Sequence, residues 1–485
     1  MRTLTTISFL LLFLTTHGQT NRSLHWCFGW EAGLDFSTGQ PIADTTCNLQ
    51  SIEGCSSISD TAGNLLFYSN GETVWDSNND IMPNGSGLLG NQSSEQSSLF
   101  VPKPGSNSLY YLFTTGGFSI SRFCYNVIDL NLNAGLGDIT DAKNVLLFNS
   151  ATEGLGGTMH CNAKDYWVVS RQQHTDTLQF YAYLLDSSGL SNPVISTFYL
   201  DNPWWNQYGF IKFSQDGSIM CYTSFGNPIC VFDFDTQSGV LALKDSISHY
   251  PNELPYSNEI SPDKSKIYIT SWTANGNCYL SQFDLTTTNI TASRVNLDSV
   301  DFSNGSPDGY GFIGELQIAP DQKIYCSRWK QTPPLVNPNS FWTLDSLDVI
   351  HNPNGLGTTS NFQRNAIYLN QKPTEHSLPN FISNFTLPLS PANNCPVSVM
   401  VNATPNIDIG IFPNPFSDRA TLSFPAVSDK ATFTLYNTNG QLIKTVYNIS
   451  GGQLTIYRDS LETGLYYFML RTKDNIIATG KLLTE

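Results

Sequence analysis

Six stretches of this chain share one plan, and that repetition constrains the fold more than any other feature. They are "SISDTAGNLLFYS" from Ser57, "FVPKPGSNSLYYLFT" from Phe100, "MHCNAKDYWVVS" from Met159, "IKFSQDGSIMCYTS" from Ile211, "EISPDKSKIYITS" from Glu259 and "QIAPDQKIYCSRW" from Gln317. Each has a short apolar strand, a turn of Ser, Pro, Asp, Asn, Gly or Lys, and a strand of alternating apolar and aromatic residues. The spacing of roughly 40 to 60 residues is the period of four-stranded propeller blades. Further strands ending in Asp-containing turns, such as "FYAYLLDSSG" and "CVFDFDTQSG", supply the outer half of each blade. One blade cannot bury both its faces, but a ring of blades can. Closure is expected from "LHWCFGWEAGLDFS" at Leu24 and the region around Asn365. The expected fold is therefore an all-β propeller of about seven blades, WD-like or TolB-like, with six or eight as alternatives.

The rest of the sequence sets the context. Arg2 and the apolar run Ile7 to Leu14 have the form of a secretory signal, too short to span a bilayer, assigned to residues 1–18. The propeller is expected over 19–388. No later run is long and apolar enough for a membrane helix. With a net charge of −16 and no basic patch, nucleic acid and anionic membrane surfaces are unattractive partners. Residues 389–405, rich in Pro and small residues, form a linker. Beyond it, residues 406–485 carry strand patterns with Gly turns and the hairpin signal Asn439–Gly440, as in a compact β-sandwich of Ig-like type.

Ten Cys in an exported chain permit disulfides. Cys47 with Cys55, and Cys221 with Cys230 across an expected hairpin, are the candidate pairs. The alternative is free Cys buried as small hydrophobes. No Cys-x-x-Cys spacing occurs and His160–Cys161 stands alone, so no metal site and no cofactor are expected.

Candidate chemistry is sparse. Glu53, Asp60, Asp76 and Glu95 are carboxylates of the kind glycoside hydrolysis uses in pairs, although turn capping is the commoner role. Asp-box spacing ending in Trp is missing from "SQDGSIMCY" and "SPDKSKIYI". His160, His174, His249 and His351 are scattered through the repeats. Asp233 and Asp235 mimic half a calcium loop but lack a later Glu ligand. "NPWWNQYGF" offers Trp204, Trp205 and Tyr208 as rings on which a sugar can stack.

Two resemblances add to this reading. "WCFGWEAGLDFSTG", "EGCSSISDTAGNLLFYSNGETVWD", "FSQDG", "ISPDKSKIYI", "NPNGLG" and "LPNFI", in this order over residues 24–385, resemble the secreted propellers of Bacteroidetes described as gliding-motility-associated. That resemblance implies a fold and a secretion context, with no agreed reaction or ligand. The last segment resembles the type A C-terminal sorting domain of the type IX secretion system. Its matching positions are Pro413, Asn414, Pro415 and Phe416, then Gly440, then Gly464 and Tyr466 in "LETGLYYFML", then Gly480 and Lys481. This implies export to the cell surface or beyond, with the secretion machinery and its sortase-like surface protease as partners. Two roles fit such a chain: a non-enzymatic module for a surface glycan or protein, or an extracellular carbohydrate-active hydrolase or lactonase.

Overall fold

The computed structural model describes residues 20–387, Cys395 and residues 410–485, apart from short stretches at 118–120, 175–176, 200–207, 226–227, 249–251, 275, 302–310, 330–343, 439–441, 460 and 473–475. The signal segment 1–18, Trp204, Trp205, His249, Gly440 and all of the 389–405 linker except Cys395 thus lie outside the described residues. The chain divides into two units, Met1–Cys395 and Pro396–Glu485.

The first unit is a β-propeller. Among the described residues it has seven sheets, antiparallel apart from one short parallel strand added to blade 2. Blade 1 has three strands, His25–Phe28, Ala32–Asp35 and Ile42–Asp44. Blades 2 to 7 begin with the inner strands Cys55–Ser59, Ser98–Pro102, Ala151–Met159, Phe210–Phe213, Glu253–Ile260 and Phe312–Ile318. Each inner strand pairs antiparallel with the strand that follows it. The six repeats of the sequence are these inner hairpins. Their turns recur for a local reason: Asp216 Oδ1 accepts from Ser214 Oγ and the Ser218 N–H, and Asp263 Oδ1 accepts from Ser261 Oγ and the Ser265 N–H. Such side-chain bonds fix the reversal before any tertiary contact exists.

Blades 7 and 1 close the ring. Asn365 lies in Phe362–Tyr368, the outer strand of blade 7, and the residues after it, Ala366, Ile367 and Leu369, pack with Trp26, Phe28 and Leu34 of blade 1. Trp26 also lies edge-on to Tyr325, and Phe36 edge-on to the same ring. The chain then passes Pro373 over the blade 1 hairpin. The Trp30 N–H donates to Pro373 O at 3.0 Å, and a Cβ on Gly29 would meet that oxygen at 2.2 Å. Gly29 also has φ +57°, so glycine is required there twice over.

After Pro373 the chain enters the axis of the ring. Pro379 and Asn380 pair parallel with Cys55 and Ser56, and Ile382 bridges parallel to Gly157. A segment running alongside the inner strands of two blades lies inside the ring, where most propellers leave a channel.

The second unit is a β-sandwich built from one sheet. Gly410–Phe412, Arg419–Asn437, Leu442–Tyr457, Gly464–Arg471 and Ile476–Thr484 form it. The long hairpin Arg419–Asn437/Leu442–Tyr457 has irregular register between Ser423 and Phe433. Irregularities of this kind bend a sheet. The two halves enclose one core containing Phe416, Leu422, Phe433, Phe468, Leu470 and Leu482.

Cysteine pairing also departs from expectation. Cys27 bonds Cys47, and Cys161 bonds Cys395; Cys55, Cys221 and Cys230 are free and buried. In the expected Cys221/Cys230 hairpin the register sets Cys221 opposite Val231 and Cys230 opposite Tyr222. One step along a strand reverses the side-chain face, so the two thiols point to opposite sides of the sheet. Cys55 starts the inner strand of blade 2 and its thiol contacts Ser377 Oγ on the axis, while Cys47 lies against blade 1.

Candidate functional site

The axial segment is fixed along its length. Asn380 Nδ2 donates to Leu155 O and Ser98 O, spanning the inner strands of blades 4 and 3. Asn384 Oδ1 accepts from Thr158 Oγ1 and the Met159 N–H. Gln215 and Gln322 donate to Thr386 O, and Ser23 Oγ donates to Phe385 O. Midway, Lys212, buried in the ring, donates to Gln317 Oε1 and lies 3.9 Å from Glu259. Burial pushes the Lys212 amine down and the Glu259 carboxyl up, and each partly offsets the other. A cavity of about 10 Å³ beside Lys212, Glu259, Gln317 and Asn380 has room for about one water. The interior of the ring is therefore filled by its own chain.

Chemistry gathers at the end where this segment enters. The inner strands of blades 4, 6 and 7 each break register there, between Ala151 and Leu155, between Pro255 and Asn258, and between Ile313 and Leu316. A bulge re-aims one side chain, and the residues inside these three include Glu153, Tyr256 and Glu315. Glu53 and Glu95 sit just ahead of the inner strands of blades 2 and 3. Glu95 Oε2 accepts from the Gly209 N–H, and Glu153 Oε2 accepts from the Glu95 N–H at 3.1 Å. Glu315 Oε2 accepts from the Leu378 N–H at 2.9 Å, and Glu53 Oε1 lies 3.3 Å from His376 Nδ1.

Three of these carboxylates, Glu95, Glu153 and Glu315, resist ionisation in their buried setting. Burial, then the charges of Glu153 and Glu53, hold Glu95 well above the usual carboxylate range. Burial, then Glu53, pushes Glu153 up to about 8. Burial likewise raises Glu315, against the pull of the Leu378 N–H. The hydroxyl of Tyr256 is raised by burial and by the charges of Glu53, Glu315, Glu95 and Glu153. Four polar atoms here have no hydrogen-bond partner among the described residues: Glu153 Oε1, Glu315 Oε1, Tyr256 OH and His376 Nε2.

Aromatic rings border the cluster. Tyr256 stacks on Trp272 at 4.5 Å, and His376 meets Trp329 edge-on at 4.6 Å and Trp272 at 5.4 Å. Tyr208 and Phe225 continue the row at 4.9 Å from each other. Tyr208, Phe225, Trp272, Phe312 and Trp329 are all partly exposed.

Of the residues singled out in the sequence, Glu53, Glu95 and Tyr208 thus come together. Asp60 and Asp76 do not. Asp60 accepts from the Ala62 and Asn64 N–H groups, and Asp76 from Asn78, as turn caps. Asp235 caps the turn at Gln237, and Asp233 pairs with Lys244 on the surface. His174 and His351 contact Gln172 and Gln363 away from the axis. His160, Cys161 and Cys395 are the one metal-like triad among the described residues. Its sulfurs are bonded to each other, and His160 Nδ1 already accepts from the Asn162 N–H. Glu153, Tyr256, Glu315 and His376 were not identified from the sequence. A signal for one of them exists: Glu153 stands directly before Gly154 near the head of an inner strand, as the identified Glu53 stands before Gly54.

In the second unit the expected sorting positions also meet. The Leu483 N–H donates to Asn414 Oδ1 and Asn414 Nδ2 to Lys481 O, clipping Pro413–Asn414–Pro415 onto the last strand. Phe416 is buried, with its N–H on Leu483 O. Tyr466 OH donates to Glu462 O. Gly480 is needed because a Cβ there would lie 2.6 Å from the Phe468 ring.

Residues 410–485 match the family described as the secretion system C-terminal sorting domain. This unit is a type IX sorting tail, and it marks the chain for export to the cell surface or for secretion. No curated protein sequence matches the chain. Solved structures it is similar to include a putative 6-phosphogluconolactonase from Bacteroides uniformis, 12% identical, covering 80% of this chain and 94% of that one, with a TM-score of 0.37. The Pseudomonas aeruginosa periplasmic gluconolactonase is 12% identical over 79% and 93%, with a TM-score of 0.36. TolB from Acinetobacter baumannii is 11% identical over 68% and 74%, with a TM-score of 0.32. Likenesses this distant carry no argument about activity.

Proposed function

We propose that the exported propeller is a non-enzymatic binding module that displays one face, the rim of Tyr208, Phe225, Trp272, Phe312 and Trp329, to a surface glycan or protein. The observation that carries this reading is the filled axis. Thr374–Thr386 fills the axis of the ring, and Glu95, Glu153 and Glu315 are each no more than 3% exposed. Partly exposed aromatic rings give a rigid apolar contact surface with little entropy to lose on binding. The purified, tail-processed protein is expected to bind a subset of an array of polysaccharides, cell-wall fragments and extracellular proteins. Trp272→Ala and Trp329→Ala should each weaken that binding at least tenfold. An array with no hit removes the support for this reading.

One observation favours the second reading, an extracellular hydrolase or lactonase. A Glu153 carboxyl at about 8, next to Glu95, has the character of a general acid. Turnover of a chromogenic glycoside or lactone panel, lost in Glu153→Gln, would decide for it.

A further inference from the structure

We propose that Lys212 and Gln317 react with each other to form an isopeptide bond, a covalent crosslink inside the ring between the inner strands of blades 5 and 7.

Three residues carry the argument, one from each of three successive blades. Lys212 lies in Phe210–Phe213, Glu259 in Glu253–Ile260 and Gln317 in Phe312–Ile318, and all three are buried. Lys212 Nζ donates to Gln317 Oε1, so the amine already lies against the side-chain amide. Gln317 is oriented in turn, because its Nε2 donates to Ile318 O at 2.9 Å. The Ile260 and Ile318 N–H groups donate to Oε1 and Oε2 of Glu259 and hold that carboxyl in place. A buried ammonium is costly unless a carboxylate meets it directly. Here the direct contact is with a neutral amide, and Glu259 Oε2 stands off at 3.9 Å. Burial lowers the Lys212 amine and raises the Glu259 carboxyl, which draws the pair towards a free amine and a carboxylic acid. A desolvated free amine is a nucleophile.

The step balances without a further reagent. The Nζ lone pair adds to Cδ of Gln317. Glu259 gives its proton to the amide as the new bond forms and recovers one from Nζ. The Nζ–Cδ bond forms, the Cδ–Nε2 bond breaks, and Nε2 leaves as ammonia. Nothing is oxidised or reduced. The cavity of about 10 Å³ is lined by these same three side chains, and room for about one water is room for one ammonia. Fixed proximity supplies the rate, because well-oriented groups in one molecule react as if at about 10⁵ M or more. The product ties together residues 105 apart and closes a loop around the whole of blade 6.

The test is mass spectrometry of the folded full chain after unfolding in guanidinium, reduction, alkylation and tryptic digestion. One branched peptide should join the segments of Lys212 and Gln317, lighter than their sum by one ammonia. Trypsin should not cut after Lys212, since the acylated amine is no longer its substrate. On a reducing denaturing gel the native chain should run ahead of Lys212→Arg, because one loop stays closed. Formation of the branched peptide, followed in time after cell-free synthesis, should slow at least tenfold in Glu259→Gln. Near-UV circular dichroism checks that each variant folds. Separate, unmodified Lys212 and Gln317 peptides from the native chain would overturn the proposal, and that result needs no variant to fold. A folded Glu259→Gln chain that crosslinks as fast as the native one would overturn the proton transfer assigned to Glu259.

Discussion

Replacing Glu153 with Gln should make the propeller more stable in alkali and leave it unchanged in acid. The ordinary glutamate value is 4.5, and burial, then the charge of Glu53, pushes Glu153 up to about 8 against the pull of the Glu95 N–H. A raised carboxyl means that the native state holds a proton which the unfolded chain releases. Stability is therefore greatest below about 4.5, falls as pH rises towards 8, and is level beyond it. The interval is about 3.5 units, and at ~1.4 kcal/mol per unit it amounts to roughly 5 kcal/mol. Gln cannot ionise, yet its carbonyl oxygen still accepts from the Glu95 N–H. Urea unfolding followed by tryptophan fluorescence at pH 5, 7 and 9 is the assay. At pH 9 the variant should gain a few kcal/mol over the native chain, and at pH 5 the two should agree within about 1 kcal/mol. A native chain whose midpoint is flat from pH 5 to 8, or a variant that runs parallel to it, would refute the reasoning.

Other expectations follow from single contacts. Peptide mapping without reduction should find Cys27–Cys47 and Cys161–Cys395, and alkylation should find Cys55, Cys221 and Cys230 as thiols. Cys161→Ser removes a crosslink between residues 234 apart and should cost about 2–4 kcal/mol, read from the urea midpoint. Asp348→Asn leaves Arg328, which is wholly buried between Asp298 and Asp348, short of one counter-charge; a loss of about 3–5 kcal/mol is expected. Gly480→Val drives a side chain into the Phe468 ring. The tail should then unfold and surface export should fall at least tenfold in a cell-fractionation assay, with the propeller's near-UV spectrum unchanged.

What the sequence determined by itself was everything that local pairing encodes. Each blade hairpin closes over about a dozen residues, and its turn carries its own Ser and Asp bonds, so "FSQDG" and "ISPDK" announce strands wherever they stand. The tail was legible for the same reason: Pro413 to Phe416 and the Gly480 strand form a dense signature within one small unit. Glu53, Glu95 and Tyr208 were within reach because they lie in distinctive short stretches. Tertiary structure alone decided the rest. Glu153, Tyr256 and Glu315 meet Glu53 and Glu95 because three inner strands bulge at the same end of a closed ring, and no periodicity in the chain reports ring closure. His376 joins them because Thr374–Thr386 turns into the axis, where its path depends on Asn380 and Asn384 finding the inner strands of blades 3 and 4. Cys161 finds Cys395 for a similar reason. Their pairing is fixed by where the chain stands after threading the ring, whereas Cys221 and Cys230, close in sequence, are kept apart by one step of strand register.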